Sequence, residues 1–330
     1  MTFSIIVAAY NRKDILIEAI RKIMGTGFPK SEYEIIIGDN NSSDGTRERV
    51  EEFTRENSGK VNLKYLVETR KGNVYARHSA VKHAIGKYLV FCDDDCFVAD
   101  NWLTEIDRIF RLHPEIGLLG TRIEIQWDKS APAWMQNYQY LLGEIRGESP
   151  LVIKDSGLFV NSGSMAIPKE LFEKLGGTLP EQIGGKYVGD GETGLCLKLH
   201  NLKKPIALTN DTFVYHYQLV EKNARIADIR RRFENNGIGE AYNEVYRQGV
   251  KADADANKTK NQYLWVTIKD LLRLKRSRAR GNYFRYSFFK KKAEYINKFL
   301  RESNNSAGDW VLSDHYAAPD LVSSSIFVRQ

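Results

Sequence analysis

Two rhythms of apolar residues run along the first 120 residues of this chain. Short apolar-rich stretches at residues 3–9, 33–37, 61–67, 88–91 and 116–120 read as strands, the continuous run at 88–91 as one covered on both faces. Between them the apolar positions take helical spacing. Ile15, Ala19, Ile20 and Ile23 mark a helix over residues 14–24, and residues 73–85 mark another. Asp44 and Asp100 stand where helix caps belong, ahead of helices ending near Thr54 and at Leu112. Strands alternating with single helices give right-handed crossovers, so this region predicts a doubly wound, mostly parallel α/β sheet flanked by helices. Beyond residue 120 the pattern weakens. Residues 127–155 are poorly periodic, strand character returns at 157–167, and Pro168 opens a helix reaching residue 175. A glycine-rich loop at 184–192 leads into a helix ending near His200, and residues 213–217 form a late strand. From residue 219 the chain reads as helical, broken by a polar connector at 251–260. The division expected is therefore 1–217 and a helical C-terminal extension, 218–330.

The fourth apolar run ends abruptly in three carboxylates, Asp93, Asp94 and Asp95. Ligands of open α/β sheets collect beyond the carboxyl ends of the strands. Three acids there repel one another unless a cation sits among them, and oxygen ligands suit Mg²⁺ or a similar hard ion shared with phosphates. In an extended segment Asp93 and Asp95 face the same side. The plainer reading is a solvated acidic turn or a helix N-terminus. The first strand runs into Ala8, Ala9, Tyr10 and Asn11 without a glycine fingerprint, which weighs against dinucleotide and P-loop sites. Asp39, at the tip of the second strand, can still accept hydrogen bonds from a nucleoside, or can cap its own loop.

Composition adds limits. The 42% hydrophobic content supports a sizeable core, and no apolar run approaches the roughly 20 residues that span a bilayer. The N-terminus lacks the basic region and cleavage pattern of a signal peptide. Cys92, Cys96 and Cys196 form no disulfide framework or zinc spacing, which fits small buried residues in a reducing cytoplasm. The net charge of +7 is local: residues 269–292 hold ten Lys or Arg against one acid, Asp270.

Four ordered motifs carry a resemblance: SIIVAAYNR from Ser4 to Arg12, IGDNNSSDGT from Ile37 to Thr46, KGNVYAR from Lys71 to Arg77, and FCDDD from Phe91 to Asp95. Together they resemble a family 2 glycosyltransferase with the GT-A fold, over about residues 1–217. The resemblance implies a nucleoside-diphosphate sugar donor, usually a UDP-sugar, a divalent cation (Mg²⁺ or Mn²⁺), and inversion at the anomeric carbon. It makes 1–120 the donor half and 121–217 the acceptor half. It places Ala8, Ala9 and Tyr10 around the nucleotide, Asp39 at the base, Arg77, Asp93 and Asp94 at the donor, and Asp95 on the metal. His216 matches a late family histidine near metal or diphosphate, although a lone His among aromatic residues is also a common packed residue.

Inversion by direct displacement needs a carboxylate to take the acceptor's proton. In the segment VGDGETGLCLK, Val188 to Lys198, the family's helix aligns with Leu195 and places Glu192 at the catalytic position, with Asp190 the competing candidate. Gly191 departs from the usual acidic pair. Trp127 and Trp134 are candidates for an acceptor platform, or for core packing, and Asn161 and Ser162 for acceptor-side contacts. The basic C-terminal segments LLRLKRSRAR (271–280) and YFRYSFFKKK (283–292) mix apolar residues with cations. They suit an anionic membrane surface on the cytoplasmic side, or a solvated cap on the catalytic unit, more than nucleic acid. The enzyme expected is an inverting glycosyltransferase acting on a hydroxyl of a glycan or lipid-linked acceptor. The alternatives are a sugar-phosphate nucleotidyltransferase and a non-catalytic nucleotide- or glycan-binding module.

Overall fold

The computed structural model describes residues 1–179, 182–183, 186–187, 191–250 and 256–303. The first half runs β1 (Phe3–Ala9), α1 (Lys13–Gly25), β2 (Tyr33–Asp39), α2 (Thr46–Glu56), β3 (Leu63–Val67), α3 (Asn73–Val81), β4 (Tyr88–Asp93), β5 (Cys96–Val98), α4 (Trp102–Leu112) and β6 (Leu118–Trp127). A 3-10 segment, Ala133–Leu142, follows, then β7 (Leu151–Lys154), β8 (Ser164–Pro168), α5 (Lys169–Lys174), the short β9 (Gln182–Ile183) and β10 (Lys186–Tyr187), α6 (Gly191–Asn201) and β11 (Ile206–Gln218). Helices α7 (Val220–Asn223), α8 (Ile226–Tyr242), α9 (Ala256–Leu272) and α10 (Arg276–Ser303) close the described chain, with a π turn at Asn243–Arg247.

The main sheet has the order β3-β2-β1-β4-β8-β6-β11-β5. The first four strands are parallel, and their register aligns Ala9 with Asp39 and Ala8 with Asp93. The strand ends named from sequence therefore lie side by side. Beyond β4 the sheet is mixed: β8 runs antiparallel to both β4 and β6, and β11 is parallel to β6. The other edge of β11 is shared by β7 along its first half and β5 along its second. Alternate residues feed two cores, Ile5, Ile35 and Val90 on one face and Ile6, Ile36, Leu89 and Phe91 on the other.

Several boundaries differ from the sequence reading. Asp44 stands one residue ahead of the N-cap, which is Gly45, yet still accepts from the first helical N–H, that of Thr46, at 3.1 Å. Asp100 does not: Asn101 precedes α4 without a side-chain cap bond, and its amide instead joins the Asp211 carbonyl and Thr212. The poorly periodic stretch contains β7 and the 3-10 segment, and Trp127 closes β6.

One close approach fixes α3 over β2. A Cβ at Gly38 would fall 2.3 Å from the carbonyl oxygen of Ala76. Only glycine allows this contact, and Arg77 is the next residue. Gly38→Ala should push α3 outward and cost about 2 kcal/mol, as overpacking does, read as a lower midpoint in urea unfolding. An unchanged midpoint would show that α3 is not seated by this contact.

Candidate active site

The turn after β1 begins the site. Asn11 sits at φ +52°, a conformation Asn tolerates. Its N–H donates to Ser42 Oγ at 2.9 Å, and its side-chain oxygen accepts from the N–H of Ser43 at 2.8 Å. The turn brings Arg12 back over the acidic tip of β4. There its Nη1 donates to Asp94 Oδ1 at 2.6 Å and to Asp95 Oδ2 at 2.7 Å. The N–H of Tyr10 reaches Asp94 Oδ2 at 3.2 Å. Burial disfavours charge on Asp94. Yet both its oxygens accept from donors that carry no lone pair, so this geometry holds the carboxylate form. Asp93 pairs with Arg77 Nη2 at 2.5 Å.

The pairing of β5 with β11 sets His216 against Cys96 and swings it towards the same tip. His216 Nδ1 lies 2.7 Å from the carbonyl oxygen of Leu142, and Nε2 lies 3.2 Å from Asp95 Oδ1. Donation from Nδ1 leaves Nε2 as the ligating nitrogen of the neutral ring. Ligand atoms of Asp93, Asp95, Cys96 and His216 all lie within 4.8 Å of one another. Asp95 Oδ1 is buried and faces only the His216 ring, without a well-formed hydrogen bond, so it has room to accept a cation. A hydrogen bond with Cys92, and then burial, push the Cys96 thiol well up, so it stays a neutral, soft neighbour. Two carboxylates and an imidazole remain, a set that fits a divalent ion. Burial opposes charge on both remaining partners. For Asp95 it is outweighed by His216 and then Arg12, which hold the carboxyl low. For His216 it is outweighed by the carboxylates of Asp95 and Asp93, the neutral Cys96 thiol adding no charge, and its pKa is raised to about 10.

Across the cavity, Glu192 lies in the first turn of α6, where a carboxylate gains from the helix N-terminus. Asn161 Nδ2 donates to its Oε1 at 3.4 Å. Burial raises the Glu192 pKa, against the pull of Arg77 and with a further push from Asp93. Arg77, Asp93, Asn161, Ser162, Glu192 and His216 all line one cavity of about 800 Å³.

Asp190 lies outside the described residues. Ala8, Ala9, Tyr10 and Asp39 cluster at the tips of β1 and β2, beside the cavity and not in its described lining. Asp39 is buried and accepts from Tyr65 Oη at 2.7 Å and from both the N–H and hydroxyl of Ser42. Trp127 and Trp134 pack with Met135, Leu142, Ile229 and Phe284 where the 3-10 segment meets α8 and α10. Arg280 lies over the Trp134 ring at 4.6 Å, so that ring faces the C-terminal helices. The sequence reading missed Arg12, although Tyr-Asn-Arg was part of a quoted motif. It also missed Arg232, Asn235 and Asn236 of α8, which line the cavity; no pattern in a mixed polar helix marks the turn that faces inward.

A parallel half-sheet ending in carboxylates, joined to a mixed second half and a helix that supplies an opposing acid, is the GT-A glycosyltransferase architecture. The structure is similar to the mannosyltransferase PcManGT from Pyrobaculum calidifontis, described in complex with GDP-Man and Mn²⁺. The TM-score is 0.57 at 18% identity, covering 92% of this chain and 73% of that one. At that identity the likeness is one of fold. The sequence matches glycosyl transferase family 2 over residues 4–176, and the chain belongs to that family. Among curated relatives, the glycosyltransferase AglE of Haloferax volcanii is 32% identical over 101 residues, 30% of this chain and 32% of AglE. The shared stretch is thus about a third of AglE's length. The succinoglycan biosynthesis protein ExoM of Rhizobium meliloti is 23% identical over 231 residues, 69% of this chain and 71% of ExoM.

Proposed function

We propose that this chain transfers a sugar from a nucleoside-diphosphate donor, UDP-linked by preference, to a hydroxyl of a glycan or lipid-linked acceptor, with inversion. The observation that carries the reading is the placement of Glu192, Asp93 and His216 on one cavity, with Asp95 grouped with Asp93 and His216 so that their ligand atoms lie within 4.8 Å of one another. Glu192 takes the acceptor hydroxyl's proton as that oxygen bonds to the anomeric carbon. The bond from that carbon to the diphosphate breaks, and the nucleoside diphosphate leaves with the electron pair. Burial lifts the Glu192 pKa towards the working range of a general base. Arg77 faces the growing charge on the leaving group, and Asp93 holds its guanidinium in place. Asn161 orients the Glu192 carboxylate. A divalent ion, Mg²⁺ or Mn²⁺, held by Asp93, Asp95 and His216, would supply Lewis-acid stabilisation to the diphosphate. Glycan assembly is the setting in keeping with the relatives' names.

A thermal-shift series with UDP, GDP and ADP, each with Mn²⁺, Mg²⁺ or EDTA, tests the reading alongside donor turnover. Stabilisation by UDP that needs the metal, with release of UDP from a UDP-sugar, is the expected result. Equal stabilisation by all nucleotides in EDTA, with no turnover of any nucleotide sugar, would sink it.

A further inference from the structure

Helix α9 is packed inside out. The side it lays against α10 carries Tyr263, Thr267 and Asp270; Thr267 and Asp270 are buried. Tyr263 stacks on Phe289 with ring centroids 5.5 Å apart, and Asp270 accepts from Asn282 Nδ2 at 2.9 Å. The apolar residues point away from the protein. Leu264, Trp265, Ile268, Leu271 and Leu272 follow one another at spacings of one, three, three and one, which puts them on one face. All are exposed, Trp265 at 71% and Leu272 at 81%, and Leu274 just past the helix is 80% exposed. Isolated exposed apolar residues need no explanation, but a contiguous stripe of this kind marks a contact surface.

The surrounding charge selects the occupant. Residues 256–293 contain twelve Lys or Arg and a single acid, Asp270, which is turned inward. Within that span the charged residues left exposed are cations, among them Lys269, Arg273, Lys275 and Arg276 beside the stripe. The cores of protein interfaces are depleted of charge, whereas helices that lie in a bilayer interface join a Trp and Leu face to a Lys and Arg rim. No described helix is long and apolar enough to cross a membrane, so contact would be made lying flat. We propose that α9 and the turn after it dock on an anionic lipid surface. The Trp265 and Leu272 face enters the acyl boundary, and the Arg273 to Arg276 cluster meets the headgroups. The inference stands on α9 alone and does not depend on the chemistry at Glu192.

The test is co-sedimentation of the full chain with vesicles of phosphatidylcholine alone, and of phosphatidylcholine mixed with phosphatidylglycerol. The expected result is pelleting with the mixed vesicles only, reversed by high salt. Pelleting should weaken about tenfold or more in the double variant Trp265→Glu, Leu272→Glu, whose circular dichroism and donor-stimulated thermal shift stay unchanged. Failure to pellet, or equal pelleting of parent and variant, would overturn the proposal. So would a dimer in sedimentation analysis that forms without lipid and is broken by the same substitutions, which would assign the stripe to a second copy of the chain.

Discussion

Glu192→Gln should retain donor binding and lose transfer by about 10³-fold, the scale of a general base. The substitution keeps the shape and the Asn161 contact but cannot accept a proton. The two outcomes separate cleanly, because metal-dependent stabilisation by the nucleotide reads binding while release of nucleoside diphosphate in the presence of acceptor reads chemistry. The pH profile adds a second check. Burial and Asp93 raise the Glu192 pKa above the usual carboxylate range. A base with a raised pKa is lost by protonation as pH falls through that value, so kcat should decline on the acid side. The Gln variant should lose that acid limb. A variant that kept parental kcat would move the base elsewhere, with Asp190→Asn the next variant to make.

Asp95→Asn should lower metal-dependent kcat/KM by about 10²- to 10³-fold, the several kcal/mol that a Lewis acid supplies. It replaces the carboxylate oxygen that faces His216 and weakens the Oδ2 contact with Arg12 in one step. Mn²⁺ binding followed by calorimetry reads the loss directly. In the parent, His216 holds a proton at neutral pH because its pKa is raised to about 10. Loading the ion must expel that proton, so affinity should climb with pH up to that range. The heat of binding should also change with the ionisation enthalpy of the buffer. Parental metal affinity in the variant, with no buffer dependence in either protein, would remove Asp95 and His216 from the cation site.

The legible parts of this fold are those that repeat. β1, β2 and β4 are mostly apolar and buried on both faces, and the helices between them keep 3.6-residue spacing, so even the strand tips at Asp39 and Asp93 could be placed. The second half resisted because its signals are short or shared. β5 has three residues, β7 has four, and β11 joins two partly different pairings around a register shift near Thr209. The approach of His216 to Asp95 depends on that irregular strand, so the histidine could be suspected but not positioned. Trp127 and Trp134 show the opposite limit. Aromatic side chains near an acceptor half could serve sugar or core equally, and only the arrival of α8 and α10 shows that these two, half-buried, pack against a cluster there. Arg12 was hidden because its role requires the left-handed turn at Asn11, which sequence allows but does not compel.

The clasp of Arg12 on two carboxylates has a consequence for the order in which ligands arrive. Arg12, Arg77 and protonated His216 match Asp93, Asp94 and Asp95 one for one, so the tip of β4 is electrically balanced before any ligand comes. A free divalent ion meets no surplus of negative charge there and must evict a proton as well. An ion that comes with a diphosphate brings its own counter-charge and offers Arg77 an anion besides Asp93. Each ligand would then raise the other's affinity by the same factor, and the site would discriminate against bare metal while welcoming the nucleotide-bound form.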